Sequence, residues 1–339
     1  MLPAAGSFLS LLIAGAPAAQ ADAVADFYSG KMINLYIGST PGGGYDTYGR
    51  LMAQFLGDHI PGKPKIVPRN MPGGEGRVAS AYLYEVAPKD GLSLATSEQF
   101  LPLAQALGDK TVKADTSKLI WIGNPSRENK TIVTWHTSGV KTIEDARKTP
   151  VKMGTTGGGG SATTYPLVLN ALIGTRFELV RGYRGGTEVN LAMENGEVGG
   201  RAGNTLLSWK VSHESWLRED KINILVQVGF ARSPELPNVP LMTDLVDNAD
   251  DRALMTLLSV PIDLGHPLYA APGVPGERVA ALRKAFDAMM QDTAFREAAA
   301  KRRIEIDPVT GDRMQQIVAD MFAAPQPLRD RLAALEKVK

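Results

Sequence analysis

The sequence contains no cysteine, and this absence narrows the kinds of protein that it can encode. Without cysteine no disulfide can form, which excludes a small secreted domain held together by disulfides. No lipid can be attached to an N-terminal cysteine either, so an exported product should be free and soluble. A cysteine nucleophile is excluded for the same reason.

An excess of charge of one sign is also missing. The 37 basic residues are matched by 36 acidic ones, and no basic block occurs. This balance argues against a nucleic-acid-binding protein, which would carry a basic patch. No stretch beyond the N-terminus approaches the ~20 apolar residues of a membrane span. With 339 residues, the chain is long enough for two domains with a core each.

Residues 1–21 are typical of a secretory signal peptide. Phe8 to Gly15 form a short apolar core, and Ala19-Gln20-Ala21 is a small-x-small cleavage signature. No Lys or Arg precedes the apolar core, so a start codon further upstream is an open alternative. We expect export to the periplasm, with cleavage near Ala21.

Motifs for catalysis and metal binding are missing as well. Residues 57–63 match G-x4-G-K, but Pro64 stands where Ser or Thr must ligate magnesium. No G-x-S-x-G motif surrounds Ser161. The histidines have no metal-ligand spacing and occur at His59, His136, His213 and His266. We therefore expect no catalytic residue, metal or cofactor.

The alternative to a binding protein is a periplasmic hydrolase that uses Asp46 or a histidine as its general base. Asp46 follows a glycine loop by two residues, so it more simply caps the next helix or braces the loop. A ligand sensor for a signalling partner on the same fold is a further alternative.

The main positive feature is a glycine-rich loop, residues 38–46, between a strand-like and a helix-like segment. Ile33, Leu35 and Ile37 alternate before it, as in a buried strand. Its glycines let the backbone approach a ligand, and the N–H groups at the helix start form a seat for an anion. The alternative is that the glycines only make a tight turn.

The same design recurs at residues 154–161, between a strand at 151–153 and a helix at 165–173. Further strand-end loops fall at 70–76, 97–99, 182–187 and 199–204. Strands that alternate with helices predict parallel sheets, whose ligands bind beyond the carboxyl ends of the strands. The loops should therefore line the rims of two sheets, with two opposed anion seats.

Two helix starts are predicted from capping residues. Thr142 should open a helix that ends near Lys148, with acidic residues in its first turn. Thr187 should cap the helix that runs to Asn195.

Four short motifs together resemble one protein family. Residues 41–46 (PGGGYD), 70–74 (NMPGG), 88–91 (PKDG) and 182–185 (GYRG) occur in this order. They resemble the Bug-type receptors, the extracytoplasmic solute-binding proteins of tripartite tricarboxylate transporters. The resemblance spans roughly residues 27–322.

The resemblance implies an α/β fold: a two-domain periplasmic binding protein of the type II flytrap class, with a cleft between two mixed sheets flanked by helices. With chain crossovers at 124 and 229, domain 1 would comprise residues 26–124 plus 229–339, and domain 2 residues 125–228. The implied partners are a small carboxylate-bearing organic acid and a two-component membrane permease, and we expect a monomer.

Carried over to this sequence, the family's cleft consists of backbone amides and hydroxyls from both glycine loops. The expected ligand-binding residues of domain 1 are Gly42, Gly43, Gly44, Tyr45, Asp46, Asn70, Gly73, Gly74 and Ser97. Those of domain 2 are Thr155, Thr156, Gly159, Ser161, Tyr183, Arg184, Arg201 and Asn204.

The sequence departs from the family pattern in its charges. Glu75 and Glu98 place carboxylates beside a supposed anion site, which lowers affinity unless each is paired or points away. Our hypothesis is that Arg184 or Arg201 binds a distal carboxylate, since guanidinium matches that group bidentately. The alternative is that these arginines pair with Glu75 or Glu98, or face solvent. Tyr45, where a smaller residue is usual, could shrink the cleft or stack on an aromatic ligand.

Overall fold

The computed structural model describes residues 17–156 and 160–336, with side chains from residue 23 onwards. Its strands are β1 (Met32–Ile37), β2 (Lys65–Asn70), β3 (Ser93–Thr96), β4 (Ile120–Asn124), β5 (Lys130–Trp135), β6 (Val151–Thr155), β7 (Phe177–Arg181), β8 (Gly200–Thr205), β9 (Ile222–Val228), β10 (Leu268–Ala270) and β11 (Val309–Thr310).

The helices of the described residues lie between and after these strands. They are α1 (Pro17–Tyr28), α2 (Gly44–His59), α3 (Arg77–Glu85), α4 (Leu101–Ala106), α5 (Ile143–Lys148), α6 (Ser161–Ile173), α7 (Gly186–Glu194), α8 (Leu206–Ser212), α9 (Glu214–Arg218), α10 (Ala249–Ser259), α11 (Gly276–Gln291), α12 (Thr293–Lys301), α13 (Gly311–Ala323) and α14 (Gln326–Leu335).

The first sheet has the strand order β11-β4-β10-β3-β1-β2 within the described part of the chain. Strand β1 pairs in parallel with both β2 and β3, whereas β10 pairs antiparallel with β3 and β4. Ile33, Leu35 and Ile37 point to one face of β1 and Tyr36 to the other, and all four are buried, so both faces of this strand are covered, as expected inside a sheet.

The second sheet has the order β7-β6-β8-β5-β9 within the described residues. Strand β6 is parallel to β7 and β8, and β5 is antiparallel to β8 and β9. The chain enters this sheet after β4 and leaves it after β9, so all its strands come from one continuous segment. Both sheets are therefore mixed, as expected. The exact domain boundaries stay a prediction.

Of the two helix starts predicted from capping residues, one is confirmed and the other is wrong. Thr142 caps α5 in a capping box: its side chain accepts from the Asp145 amide and the Asp145 carboxylate accepts from the Thr142 amide. The prediction for Thr187 is wrong, because α7 begins at Gly186 and its N-cap residue is Gly185. Helix α6 begins at Ser161, one turn earlier than expected, so its N-terminus lies directly at the glycine loop.

The predicted signal peptide, residues 1–21, falls mainly outside the described residues and stays a prediction. Among the helices of the described part, none has the length and apolar character needed to cross a membrane.

The contact between β4 and α11 gives a test of the packing of the first sheet. A Cβ atom on Gly123 would lie 2.3 Å from the ring of Phe286, which is fully buried. We expect Gly123→Ala to lower the free energy of unfolding by about 1–3 kcal/mol, since overpacking forces neighbours out of position. Urea unfolding checks this. Gly276→Ala is the control, because nothing lies within 4 Å of its Cβ position; equal stability of the two variants would contradict the packing.

Candidate ligand-binding site

Strand register brings the loops of the first sheet to one level. Ile37, the last residue of β1, pairs with Asn70 at the end of β2 and with Thr96 at the end of β3. The loops that follow these three strands therefore start side by side, at the carboxyl edge where parallel sheets bind ligands. In the second sheet, Thr155 at the end of β6 pairs with Arg181 at the end of β7.

The two sets of loops enclose a cavity of about 120 Å³. Several of the predicted residues line it: Gly42, Gly43, Gly44, Tyr45, Thr156, Arg184, Arg201 and Asn204. The loops also touch directly, since a Cβ atom on Gly185 would lie 2.6 Å from the Thr40 hydroxyl. The cavity has room for a small molecule of several non-hydrogen atoms.

Other predicted residues do not line this cavity. These are Asp46, Asn70, Gly73, Gly74, Ser97, Thr155, Ser161 and Tyr183. Ser97 Oγ lies 2.5 Å from the Tyr269 hydroxyl, and Thr155 Oγ1 lies 2.6 Å from Thr163 Oγ1, so both hydroxyls are used inside the protein. Gly159 lies outside the described residues.

Asp46 braces the first glycine loop. Its carboxylate accepts hydrogen bonds from the Gly42 amide at 2.9 Å, from Arg50 Nε at 2.9 Å and from Asn70 Nδ2 at 2.7 Å. Burial alone would raise the pKa of Asp46, but these three donors together hold it below its usual value. A carboxylate held ionised in this way is a poor general base at neutral pH, so the bracing role predicted as the simpler alternative fits the geometry.

The two arginines of the sequence hypothesis have different surroundings. Arg184 pairs with Glu188, at 2.8 Å, and its side chain is 84% exposed, so it lies at the mouth of the cavity. Arg201 is half-buried, and its Nη1 donates to the Gly186 carbonyl at 3.0 Å and to Asn190 Oδ1 at 2.8 Å. The Nε atom of Arg201 is buried and has no hydrogen-bond partner within the described part of the chain. Burial lowers the pKa of Arg201 to about 10, so the guanidinium stays charged.

Glu75 reaches across from the first set of loops to the second. Its Oε1 accepts a hydrogen bond from Thr156 Oγ1 at 2.9 Å, and its side chain is only 5% exposed. Burial, reinforced by the charge of Glu98, raises the pKa of Glu75 to about 7. Glu98 lies at the same wall, where Ser161 Oγ approaches its Oε1 at 3.4 Å. Neither glutamate forms an ion pair with Arg184 or Arg201 among the described residues.

The cavity residues that were not predicted from the sequence include three with basic side chains: Lys130, His213 and His266. Lys130 is buried on β5, with its Nζ 5.3 Å from the centre of the Tyr45 ring. Burial lowers the pKa of His266 well below 6.5, with Lys130 adding to the effect, and burial likewise lowers the pKa of His213. Both imidazoles are neutral at pH 7, so Lys130 and Arg201 are the cations at the cavity's buried wall.

A larger cavity of about 360 Å³ lies at the crossovers between the sheets. Its cations are already paired: Arg127 with Asp307, Lys210 with Glu235, and Arg232 with Asp244. The smaller cavity is the better candidate, because unpartnered polar atoms of Glu75 and Arg201 lie at its wall.

Comparison with known proteins gives the same picture. No protein-family model matches the chain. A UPF0065 protein from the gbd 5′ region of Cupriavidus necator is 27% identical over 326 residues, which cover 94% of this chain and 92% of that protein.

Solved structures share the whole architecture. That of the periplasmic binding protein BugD has a TM-score of 0.71 at 17% identity and covers 91% of this chain and 97% of its own. The chain has the fold of a periplasmic binding protein. Rpa4515 of R. palustris, solved with adipate, has a TM-score of 0.70 at 18% identity and covers 90% of this chain and 98% of its own. The predicted fold class and the resemblance to Bug-type proteins are confirmed.

The raised pKa of Glu75 predicts a dependence of stability on pH. Because the pKa in the folded protein, about 7, lies above the ordinary 4.5, the contribution of Glu75 to stability is fully present below pH 4.5 and is lost as the pH rises from 4.5 through 7. Gln at this position has no charge to bury. We expect Glu75→Gln to gain about 2–3 kcal/mol relative to the wild type between pH 5 and pH 8.

Urea unfolding at both pH values measures this change. Glu178→Gln, which removes an exposed glutamate from β7, is the control. A difference between wild type and Glu75→Gln that is the same at pH 5 and pH 8 would contradict the assignment.

Proposed function

We propose that the chain is a periplasmic solute-binding receptor of the Bug type, which captures a small carboxylate-bearing ligand between its two domains. The observation that carries the proposal is the guanidinium of Arg201, which lines the cavity between the two sets of loops and whose buried Nε has no hydrogen-bond partner among the described residues. A guanidinium is matched to a carboxylate in shape and charge. The adipate bound by a protein of the same fold supports a carboxylate as the ligand class.

Binding would proceed by closure of the two domains about the chain crossovers. In this proposal domain 1 comprises residues 26–124 and 229–339, and domain 2 residues 125–228. Lys130 and Arg201 come from the second sheet, whereas the amides of the first glycine loop come from the first, so a ligand between them contacts both domains only when these are closed.

Delivery to a membrane partner completes the proposed function. The closed receptor would present a joined two-domain surface to a two-component permease of the tripartite tricarboxylate type. Export to the periplasm, with cleavage near Ala21, is part of the same proposal. The receptor changes no bond in its ligand.

A thermal-unfolding screen tests the proposal. We expect at least one of a panel of mono-, di- and tricarboxylates and aromatic acids to raise the melting temperature of the mature protein by about 5–10 °C at ~100 times its dissociation constant, which corresponds to about 2.7 kcal/mol. The stabilising acid should be recovered unchanged. Chemical turnover of that acid would contradict the proposal and favour an enzyme.

Arg201 provides a second test, with the acid found in the screen. We expect Arg201→Ala to weaken binding at least tenfold, because a hydrogen bond to a charged group contributes ~1.5–3 kcal/mol. Arg181→Ala removes an exposed arginine from the end of β7 and is the control. Isothermal titration calorimetry measures both variants. If Arg201→Ala binds within about twofold of the wild type, Arg201 does not contact the ligand.

A further inference from the structure

The cavity wall carries two carboxylates as well as two cations, one of them buried and the other half-buried. Glu75 and Glu98 extend from the loops of the first sheet, and Lys130 and Arg201 lie on strands of the second. A receptor for a simple organic acid has a reason to hold the cations but none to hold the glutamates. Their presence calls for a separate explanation.

The loop that carries Glu75 is built to place its carboxylate in the cavity. Glu75 has a left-handed backbone conformation, with φ of 56°, which is uncommon for a residue other than glycine. The next residue must be glycine: Gly76 has φ of 85°, and a Cβ atom there would lie 2.5 Å from the Cβ of Ser97. The strain in this loop is tolerated because it directs Glu75 across the cleft.

The opposite wall is shaped to receive this carboxylate. A Cβ atom on Gly160 would lie 1.5 Å from Glu75 Oε2, so no other residue fits at that position while Glu75 is in place. Thr156 supplies a hydrogen bond to the other oxygen, Oε1. Glu75 is thus held from both sides of the cleft.

One oxygen of Glu75 still lacks a donor. Oε2 is buried and has no hydrogen-bond partner among the described residues, and the Nη1 atom of Arg77 lies 3.6 Å away. That guanidinium is already used, since Arg77 donates to the Gly74 carbonyl at 2.8 Å and to Asp109 at 2.6 Å. Leaving a buried carboxylate oxygen without a donor is unfavourable, which indicates that a donor arrives with the ligand.

The charges on the two sides do not neutralise each other directly. Among the ion pairs of the described residues, none joins Glu75 or Glu98 to Lys130 or Arg201. Arg201 likewise keeps one buried nitrogen, Nε, without a partner. Unsatisfied groups of opposite sign therefore share one cavity with space between them.

A ligand that interacts favourably with both the glutamates and the cations carries a positive and a negative charge. A dicarboxylate would place its second negative charge near the carboxylates of Glu75 and Glu98, and charges of the same sign repel each other. We infer that the ligand is an amino acid: its carboxylate binds Arg201, and its ammonium group donates hydrogen bonds to Glu75 and Glu98. This inference rests on the proposed function and narrows its ligand class.

Pairs of acids that differ only in an amino group test the inference. The probes are L-aspartate and succinate, L-glutamate and glutarate, and L-2-aminoadipate and adipate, titrated calorimetrically against the mature protein at pH 8. We expect the amino member of at least one pair to bind ten or more times more tightly than its partner. Glu75→Gln should reduce that preference at least tenfold.

The controls separate a lost contact from a lost fold. Glu98→Gln changes the second carboxylate independently of the strained loop, and Glu178→Gln removes an exposed glutamate outside the cavity. If Glu75→Gln fails to fold, Glu98→Gln carries the same expectation. Melting temperatures of all variants are measured first.

The pH dependence gives an independent readout. Glu75 is faced by Glu98, Arg77, Lys130 and Arg201, and its pKa is raised to about 7. An ammonium ligand prefers ionised Glu75, so its affinity should rise about tenfold from pH 6 to pH 8, and this rise should vanish in Glu75→Gln. An affinity that falls over this range would mean that protonated Glu75 donates to a ligand carboxylate, and would overturn the inference.

The outcomes distinguish this inference from the proposed function. If the acid without the amino group binds as tightly as its partner, the amino-acid inference is wrong and the carboxylate receptor stands. If no member of any pair binds and the wider acid screen also fails, the proposed function fails, and the inference with it.

Discussion

The parallel register of β1, β2 and β3 is the constraint on which the cleft depends. Ile37, Asn70 and Thr96 end their strands at one level, so three loops begin side by side at one edge of the sheet. A slip of one residue in the pairing would turn the side chains of the slipped strand to the opposite face of the sheet and shift the start of its loop. The glycine loop keeps its shape because Asp46 and Asn70 tie it to the adjacent strand end.

Much of this arrangement could be predicted from the sequence, because its signals are local. Alternating apolar residues mark β1, glycines mark the loops, and the Thr142–Asp145 spacing of a capping box marks the start of α5. The start of α7 was misplaced because Gly185 takes the N-cap position without a side chain to reveal it. The sheets could be predicted as mixed from the family resemblance, whereas the antiparallel insertion of β10 between β3 and β4 has no local signal.

The composition of the cavity wall was less predictable. Lys130 and His266 belong to segments far apart in the chain, and they meet only because the crossover brings β5 under the first glycine loop. The two arginines looked equivalent in sequence, yet Glu188 stands four residues after Arg184 and, from the first turn of α7, accepts hydrogen bonds from the backbone amide and the Nε of Arg184. That spacing was visible beforehand and would have favoured Arg201 as the residue facing the cavity.

Because Gly160 has no side chain, Glu75 can pack against it, so the residues allowed at these two positions depend on each other although the positions are distant in the sequence. Glu75 fills the volume that a Cβ atom on Gly160 would need, so each residue restricts what the other can be. During divergence of such receptors, a larger residue at 160 becomes acceptable only after position 75 has shortened or turned away. The two sites should therefore change as a pair, and the ligand specificity of a descendant would change with them in one step.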